Sequence, residues 1–404
     1  MKILEQIVPE KRERSKVAKA TLKFLKSLNL GDAKAHLAGS LAKDTWLSGN
    51  HDVDVFIKFP YEKYKNKDIS KVLQGRLPRC EIIHGSRDYF QIKKGNYLFE
   101  LIPVLDIKEA KHAVNITDIS PLHAEWVIKH NHHPDQIRLA KALCRANNLY
   151  GAETYIKGFS GYVLEVLTIH YGDFFKFIKE ASKWQSGIII DPSKHYKDDN
   201  ETKESISKDK HTPLILIDPV QKERNAAAAL SKEKFWKFVD LCKKFSRNPS
   251  EDFFKPKTFD LEELKFKADT NRLVLLEAKP LDRKKDIAGS KMIKALNYIS
   301  EKLENEGFQV ADYDWSWNGK AYFWYFVKDE ELSEIRRHYG PPLKEEQHVR
   351  EFAKKWKGHA LKHDGNKIYI DLKRKYTSLK DCIKEILKDE YLKENAKKIK
   401  LKLV

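Results

Sequence analysis

Alternating apolar and polar side chains in the first fifth of the chain predict a β-strand. Val53, Val55 and Ile57 occupy every second position, so Asp52 and Asp54 share the opposite face of the strand. Two neighbouring carboxylates repel each other unless a cation lies between them, and their hard oxygen atoms suit Mg²⁺. The pattern therefore predicts a strand that carries a candidate metal site.

The segment just upstream adds a candidate phosphate site. Residues 35–38 have the pattern of a short buried strand, and Gly39-Ser40 leads into a helical segment. A Ser at a helix N-cap with a Gly beside it leaves backbone N–H groups free for a phosphate. Each signal alone is weak, because most Asp-x-Asp pairs are solvated residues on turns or strand edges. Together, the two signals indicate nucleotidyl transfer.

Helical spacing precedes this stretch, and strand patterns follow it. Val17, Leu22 and Leu25 belong to an amphipathic helix predicted over residues 10–28, which we expect to cover one face of the sheet. Further strands are predicted over residues 81–84, 89–92 and 97–102. The N-terminal third is therefore a mixed region of helices and strands.

Glu100 is the unusual residue on the last of these strands, because its neighbours are mostly apolar. A buried, unpaired carboxylate is costly, so Glu100 either faces solvent or meets a cation. If its strand lies beside that of Asp52 and Asp54, Glu100 supplies a third ligand, as in many sites for metal-dependent phosphoryl transfer. Asp106 is the rival candidate, and an outward-facing Glu100 on a half-exposed strand is the purely structural alternative.

Helical patterns dominate the middle of the chain, from about residue 120 to 248. Ser120-Pro121 is typical of a helix start. The polar stretch 193–210 predicts a mobile surface loop, and Arg224-Asn225 is predicted to open an alanine-rich helix. Ser231 is predicted to cap the helix that follows.

The pattern changes again in the C-terminal third. A strand over residues 272–278, a helix over 288–306 and two strands joined by Asn318-Gly319, a type I′ turn signal, predict a β-α-β-β unit. Its aromatic residues either stack on nucleic-acid bases or form a core against the helix. Gly340-Pro341-Pro342 is predicted to break regular structure, and the C-terminal lysines are predicted to form a phosphate-contacting tail. The order of patterns predicts an α+β multidomain chain of four modules.

Composition indicates the kind of partner. The 404 residues carry a formal net charge of +18, which favours a polyanion, with nucleic acid first and an anionic membrane surface second. A lysine-rich, solvated surface is the alternative without a partner. Four scattered cysteines without a C-x-x-C pair predict reduced thiols rather than disulfides or a zinc site. The charged N-terminus and the absence of a long apolar run predict a cytoplasmic protein with no membrane partner.

The run from Gly39 to Phe56 resembles the active-site signature of the archaeal, class I CCA-adding enzymes. The resemblance continues through Ser120-Pro121-Leu122-His123, Tyr150-Gly151-Ala152-Glu153, Gly158-Phe159-Ser160-Gly161-Tyr162, Asp218-Pro219-Val220, Arg224-Asn225, Phe253-Phe254-Lys255-Pro256 and Gly340-Pro341-Pro342. Each short motif is weak alone, but their joint order is highly specific and extends over most of the chain.

The resemblance implies a domain order and a reaction. It implies a polymerase-β-like nucleotidyltransferase head at residues 1–130, a helical neck at 131–250, an α+β body at 251–338 and a small basic, tRNA-binding tail at 339–404. The implied reaction adds C, C and A in turn to the 3′ end of tRNA, from CTP and ATP, with Mg²⁺ and without a nucleic-acid template. The resemblance leaves the oligomeric state open, with a dimer as one option.

The same resemblance implies roles for individual residues. Asp52, Asp54 and Glu100 match the catalytic, metal-binding carboxylates. The implied nucleotide-binding residues are Gly39, Ser40, Lys43, His123, Lys141, Tyr150 and Arg224, of which Ser40 and Lys43 match triphosphate contacts and Arg224 helps to choose the incoming base. Two positions depart from the family pattern. Glu100 stands where Asp is more usual in the family. The position of Lys43 often carries Arg in the family, and Arg would bind phosphate through two parallel hydrogen bonds.

Two other functions remain open at this stage. Poly(A) polymerases and oligoadenylate-type synthetases also carry Gly-Ser and Asp-x-Asp, and they would make long homopolymer or oligoadenylate products instead of three added nucleotides. A non-catalytic RNA-binding relative would release no pyrophosphate with any RNA. The intact acidic cluster favours an enzyme.

Overall fold

The chain forms two compact units, residues 1–257 and 258–404, in a computed structural model that describes residues 2–256 and 259–404. The four module boundaries predicted from the sequence stay a prediction, because the structure divides the chain only into these two units. Among the described helices, none has both the length and the apolar content needed to cross a membrane.

The N-terminal unit combines a mixed sheet with a bundle of helices. Its helices are α1 (Ile3–Ile7), α2 (Lys11–Lys26), α3 (Gly39–Ala42), α4 (Tyr61–Tyr64), α5 (Ile69–Gln74), α6 (Ser120–His130), α7 (Pro134–Ala146), α8 (Gly161–Tyr171), α9 (Phe174–Ala181), α10 (Asp199–Ser205) and α11 (Lys232–Arg247). Its strands are β1 (Lys34–Leu37), β2 (Asp52–Pro60), β3 (Glu81–Ile83), β4 (Tyr89–Lys94), β5 (Tyr97–Asp106), β6 (Ile188–Ile190) and β7 (Leu214–Leu216). Short 3-10 helices lie at Ala110–His112, Ile116–Ile119, Lys208–Lys210 and Glu251–Phe254.

The five-stranded sheet has the order β1-β2-β5-β4-β3, with β2 and β5 parallel and the other neighbours antiparallel. Val53, Val55 and Ile57 are fully buried, which confirms the predicted alternation. The predicted N-terminal helix is confirmed as α2, and its Phe24 ring stacks on Phe99 with centroids 3.9 Å apart.

Two details of this region differ from prediction. Leu22 was predicted on the buried face of α2 but is 60% exposed, because the face that packs on the sheet is set by Val17 and Phe24, seven residues apart. The predicted strand over 35–38 exists as β1, but most of it is exposed, since β1 is an edge strand that pairs only with β2.

The helices of the N-terminal unit surround a second core. Leu143 of α7, Leu164 of α8, Phe177 of α9 and Phe238 of α11 are all fully buried in it. The helix start at Ser120 and the cap at Ser231 are confirmed, the latter by the Lys234 N–H that donates to the Ser231 hydroxyl.

Two predictions in the same region are wrong. The stretch 193–210 contains helix α10, which is capped by Asp198 and anchored by the buried Thr202. Instead of an alanine-rich helix, residues 226–229 form a turn, and Asn225 forms an isolated antiparallel bridge with Ile217. There the Asn225 side chain accepts from the N–H groups of Leu216 and Ala227 at 3.0 and 2.8 Å, and these bonds stabilise a turn.

The C-terminal unit contains two further sheets. Its helices are α12 (Leu261–Ala268), α13 (Lys285–Glu306), α14 (Glu346–Lys355), α15 (Leu379–Ile386) and α16 (Glu390–Asn395). Its strands are β8 (Arg272–Lys279), β9 (Val310–Asn318), β10 (Lys320–Val327), β11 (Ile335–Pro342), β12 (Lys362–Asp364), β13 (Lys367–Lys373) and β14 (Lys398–Leu403). The sheet orders are β14-β8-β10-β9 and β11-β13-β12, so the predicted β-α-β-β unit is confirmed.

Two turn predictions in this unit need correction. Gly319 has a positive φ of 74°, but Asn318 stays in the strand and pairs with Lys320, whereas a type I′ turn needs positive φ at two positions. Gly340-Pro341-Pro342 does not break the structure, because it forms the end of β11. That strand lies at a sheet edge, and its pairing shifts register between Tyr339 and Pro342, where a missing proline N–H is tolerated.

Three of the C-terminal lysines, Lys398, Lys400 and Lys402, lie on β14 at the edge of the four-stranded sheet. The phosphate contact predicted for the C-terminal lysines stays a prediction. In β14, Ile399 pairs with Ala278 and Leu401 with Leu276, and both β14 residues pack against the core of the C-terminal unit. The lysines at 398, 400 and 402 alternate with these apolar residues and therefore face the other side of the sheet.

Deletion of residues 398–404 should destabilise the C-terminal unit by about 2–4 kcal/mol, because it removes the burial of Ile399 and Leu401 and uncovers β8. The control replaces Lys398, Lys400 and Lys402 with Gln, which keeps the strand and should change stability by about 0.5 kcal/mol or less. Urea unfolding and hydrogen exchange of the β8 amides measure both effects. Unchanged β8 protection after the deletion would contradict this assignment.

Candidate active site

The site begins where β1 ends and α3 begins. Gly39 has a φ of +61°, and a Cβ atom placed on it would lie 1.7 Å from Oδ2 of Asp54. Glycine is therefore needed for its backbone conformation and for the space that the carboxylate occupies. The predicted Ser40 cap is wrong: Ala38 is the N-cap, it makes no side-chain cap bond, and Ser40 lies within α3 and lines the adjacent cleft.

The parallel pairing of β2 with β5 assembles the acidic side of the site. Asp54 is the register partner of Glu100, and Asp52 lies two residues away on the same face of β2. Asp106 pairs with Pro60 at the far end of the same two strands, 3.6 Å from the Lys58 ammonium. The structure thus brings Glu100 to the aspartates and leaves Asp106 apart from them.

Burial and neighbouring charges raise the pKa values of two of these carboxyl groups. Burial, and then the charge of Asp54, raise the pKa of Glu100 to about 7, although the Gln91 amide donates a hydrogen bond to it. Burial also raises the pKa of Asp54; Lys43 opposes this shift and Asp52 adds to it. Both pKa shifts have burial as their largest cause, and a neighbouring carboxylate adds to each, Asp52 for Asp54 and Asp54 for Glu100.

A divalent cation fits this donor set. Within the described ranges, no three His, Cys, Asp or Glu side chains already form a metal cage. Mg²⁺ does not need one, because it usually keeps waters and is held by one or two carboxylates together with substrate phosphates. The hard oxygen atoms of Asp52 and Asp54 have the chemistry and the shared strand face for that role.

A cleft of about 220 Å³ joins the acidic residues to basic ones. Its lining includes Asp52, Asp54 and Glu100 together with four of the predicted nucleotide contacts, Ser40, Lys43, Lys141 and Tyr150. The Arg145 guanidinium lies over the Tyr150 ring, 4.7 Å from its centroid. Acidic and basic groups therefore line one cleft, as a metal–triphosphate complex would require.

The lysines of this cleft share a partner that the sequence reasoning missed, the fully buried Glu165 of α8. Its Oε2 accepts from Lys43 Nζ at 2.6 Å, and its Oε1 accepts from Lys141 Nζ at 2.7 Å. The Thr45 hydroxyl also donates to Oε1, at 2.7 Å. Burial alone would raise the pKa of Glu165, but the two ammonium groups outweigh it and hold the pKa at about 2.

Two further predicted nucleotide contacts, His123 and Arg224, meet on a second buried carboxylate, Asp218. His123 Nε2 lies 2.9 Å from Asp218 Oδ2, and the Arg224 guanidinium pairs with the same oxygen. The hydroxyl of Tyr162, which also lines the cleft, donates to Asp218 Oδ1 at 3.2 Å. Burial opposes ionisation of Asp218, but His123 and Arg224 together lower its pKa to about 2.

The residues that the sequence did not single out, Glu165, Asp218 and Tyr162, carry sequence signals of unequal strength. Glu165 lies between Leu164 and Val166, so it is a charged residue in an apolar run, the same signal that singled out Glu100. Asp218 and Tyr162 lie inside motifs that carry the family resemblance, but nothing in the sequence shows that their side chains meet.

The Gly39→Ala variant should lose about 2 kcal/mol more stability than Gly95→Ala. Gly95 is a matched control, because its φ of +59° is nearly the same and a Cβ there meets nothing within 4 Å. Backbone strain therefore costs both variants about 1–2 kcal/mol, and only Gly39→Ala must also displace Asp54. Urea unfolding measures the difference, and equal losses would show that the Asp54 contact is unimportant.

Three known domain families each match a different part of the chain. The nucleotidyltransferase domain matches residues 18–123, the second domain of tRNA nucleotidyltransferase matches residues 135–255, and the C-terminal domain of the CCA-adding enzyme matches residues 271–400. The first match contains the acidic residues, and the second contains Lys141, Glu165 and Asp218.

Similar full-length proteins carry the same description. A CCA-adding enzyme of Nanoarchaeum equitans is 34% identical over 84% of this chain and 84% of its own length. CCA-adding enzymes of Pyrococcus abyssi and Methanosarcina acetivorans are 33% and 29% identical, over 84% and 95% of this chain and 79% and 88% of their own lengths. These matches confirm the resemblance and the α+β multidomain nucleotidyltransferase fold. The chain belongs to the family of archaeal CCA-adding enzymes, which are tRNA nucleotidyltransferases.

Proposed function

We propose that the chain adds C, C and A to the 3′ end of tRNA in the cleft of its N-terminal unit, with CTP and ATP as substrates. The observation that carries this proposal is the meeting of Asp54 with Glu100 across β2 and β5, beside the two lysines held by Glu165. That arrangement has a place for a cation and a place for a triphosphate in one cleft.

In the proposed reaction, the 3′-hydroxyl of tRNA attacks the α-phosphorus of the nucleotide. A bond forms between O3′ and this phosphorus, the hydroxyl proton passes to water, the bond to the β-phosphate bridging oxygen breaks, and pyrophosphate leaves. Asp52 and Asp54 are the proposed ligands of Mg²⁺, with Glu100 as the third carboxylate beside them. When bound, Mg²⁺ would lower the pKa of the attacking hydroxyl and neutralise charge on the triphosphate.

The basic side of the cleft is proposed to hold the triphosphate in line for this attack. Lys43 and Lys141 supply the positive charge, and Ser40 and Tyr150 supply hydroxyl groups that line the cleft. Gly39 lets α3 begin against Asp54, so the phosphate-binding and metal-binding segments stay adjacent. Such positioning can account for a large part of the rate of phosphoryl transfer.

We propose that the neighbouring cluster of His123, Arg224 and Asp218 selects the incoming base. His123 contributes to nucleotide binding, and Arg224, which is one-third exposed and paired with Asp218, contacts the base. The Asp218 carboxylate limits the rotation of Arg224, and a fixed guanidinium discriminates hydrogen-bonding patterns better than a mobile one.

The proposed macromolecular partner is the acceptor end of tRNA. The net charge of +18 supports contact with a phosphate backbone, and A-form RNA is recognised by shape and backbone more than by sequence. The match to the C-terminal domain of CCA-adding enzymes favours this reaction over poly(A) synthesis, oligoadenylate synthesis and a non-catalytic role. The cytoplasmic location stays a prediction, and the oligomeric state stays open.

The Asp54→Ala variant should lose nucleotide transfer by at least about a thousandfold, because loss of a metal ligand removes several kcal/mol of charge stabilisation. Its affinity for tRNA should stay within about threefold of the parent. The matched control is Asp106→Ala, at the far end of the same strand pair, which should keep most of the activity.

Incorporation of labelled CTP into tRNA and filter binding of the same tRNA measure the two properties of each variant. Comparable activity in Asp54→Ala would overturn the site assignment, and loss of activity in Asp106→Ala alone would reassign the third carboxylate.

A further inference from the structure

The buried Glu165 links three separate elements of the cleft. It projects from α8, whereas Lys43 follows α3 and Lys141 lies on α7. Each carboxylate oxygen has its own ammonium partner, at 2.6 and 2.7 Å, so this side chain sets the spacing between the two cations. The spacing of two cations decides whether the charge of both acts on one triphosphate.

The ammonium groups of Lys141 and Lys43 differ in how many of their N–H groups donate hydrogen bonds within the protein. Lys141 Nζ contacts three acceptors: Glu165 Oε1, the Thr45 hydroxyl at 2.8 Å and the Thr45 carbonyl at 3.3 Å. These acceptors match the three N–H groups of an ammonium, so Lys141 is held fully protonated when all three bonds form. Lys43 donates to Glu165 and is 12% exposed, which leaves its ammonium accessible from the cleft.

The protonation of Lys141 depends on this carboxylate. Lys141 is only 3% exposed, and burial lowers its pKa to about 8, while Glu165 opposes that shift and Lys43 adds to it. Without a negative partner, a buried ammonium next to another cation loses its proton readily. The other charged or titratable groups lining the cleft are Arg145, Tyr150, Tyr162, Asp52, Asp54 and Glu100, and substitution of Glu165 leaves each of them in place.

We propose that Glu165 is a positioning residue for the nucleotide triphosphate: it keeps Lys141 charged behind the cleft and holds the Lys43 ammonium beside it, so that Lys43 contacts the triphosphate and Lys141 adds its charge. This inference rests on the proposed function. Lys43, Lys141 and Glu165 together carry a net charge of +1, and this positive charge attracts the triphosphate. Before the nucleotide binds, the Glu165 carboxylate is the partner of both cations. The Glu165 side chain is fully buried, and each of its two oxygens is already paired with an ammonium group.

Binding of inorganic tripolyphosphate to the full chain, measured by calorimetry in EDTA between pH 6 and 9, tests this inference. In the parent, affinity should fall as the pH rises through about 8, where Lys141 loses its proton. In Glu165→Gln, which has the same shape without the charge, the midpoint of this fall should move down by about one pH unit or more. At pH 6 the two proteins should bind within about threefold of each other.

Two further variants isolate the charge from the fold. Glu165→Asp keeps a carboxylate on a shorter side chain. The midpoint of the fall in tripolyphosphate affinity should therefore return from the Glu165→Gln value towards the parent value, while the affinity stays below that of the parent. Glu125→Gln removes an exposed carboxylate outside this cleft and should leave the midpoint unchanged. A Glu165→Gln profile that is weakened equally at every pH would show a merely structural role and overturn the proposal.

A second measurement applies if Glu165→Gln does not fold. Carbon-13 NMR titration of the lysine side chains should show Lys141 titrating near pH 8 in the parent and lower in Glu165→Asp, and an ordinary Lys141 pKa near 10.5 in both would overturn the proposal. Failure of the proposed function gives a different result: tripolyphosphate would bind with the expected profile, but tRNA would not be extended.

Discussion

The pairing of β2 with β5 places two carboxylates of like charge opposite each other, and the rest of the site follows from that constraint. Because the strands run parallel and in register, Asp54 faces Glu100. Burial raises the pKa of both carboxyl groups, and the charge of Asp54 raises that of Glu100 further. Such an arrangement costs folding free energy and is retained where a cation or a proton can relieve it. Gly39 adds to the constraint, because its lack of a side chain lets α3 approach the Asp54 carboxylate.

Helix α8 connects the two halves of the proposed nucleotide site. Its Tyr162 donates to Asp218, which also contacts His123 and Arg224, and its Glu165 holds Lys43 and Lys141. The two α8 residues are three positions apart and so lie on one face of the helix. Each neutralises or orients groups that we propose to contact the nucleotide, so the geometry of the base-selecting and phosphate-binding groups depends on one rigid element.

Much of this arrangement could be predicted from the sequence, because it depends on local periodicity. The alternation around Asp52 and Asp54, the strand of Glu100 and the β-α-β-β unit all follow from spacing of apolar residues. The choice between Glu100 and Asp106 could not be made, since it depends on the register of β2 against β5, which is a long-range property.

The errors share a physical origin. A polar composition suggested a loop at 193–210, but Asp198 caps a helix there and Thr202 is buried. The C-terminal lysines indicated a phosphate-contacting tail and gave no sign of β14, although Ile399 and Leu401 alternate with them along that strand. The buried partners Glu165 and Asp218 needed the tertiary structure, because ion pairs between distant segments leave no local pattern.

The most direct test of the central claim is the product formed on tRNA transcripts that end at the discriminator base. The wild-type chain would be given CTP, ATP, GTP and UTP separately and together, with Mg²⁺, and the products sized on a sequencing gel. The account predicts that CTP with ATP extends the tRNA by C, C and A and that extension then stops. Long homopolymer tails, or no pyrophosphate release from any nucleotide, would contradict it.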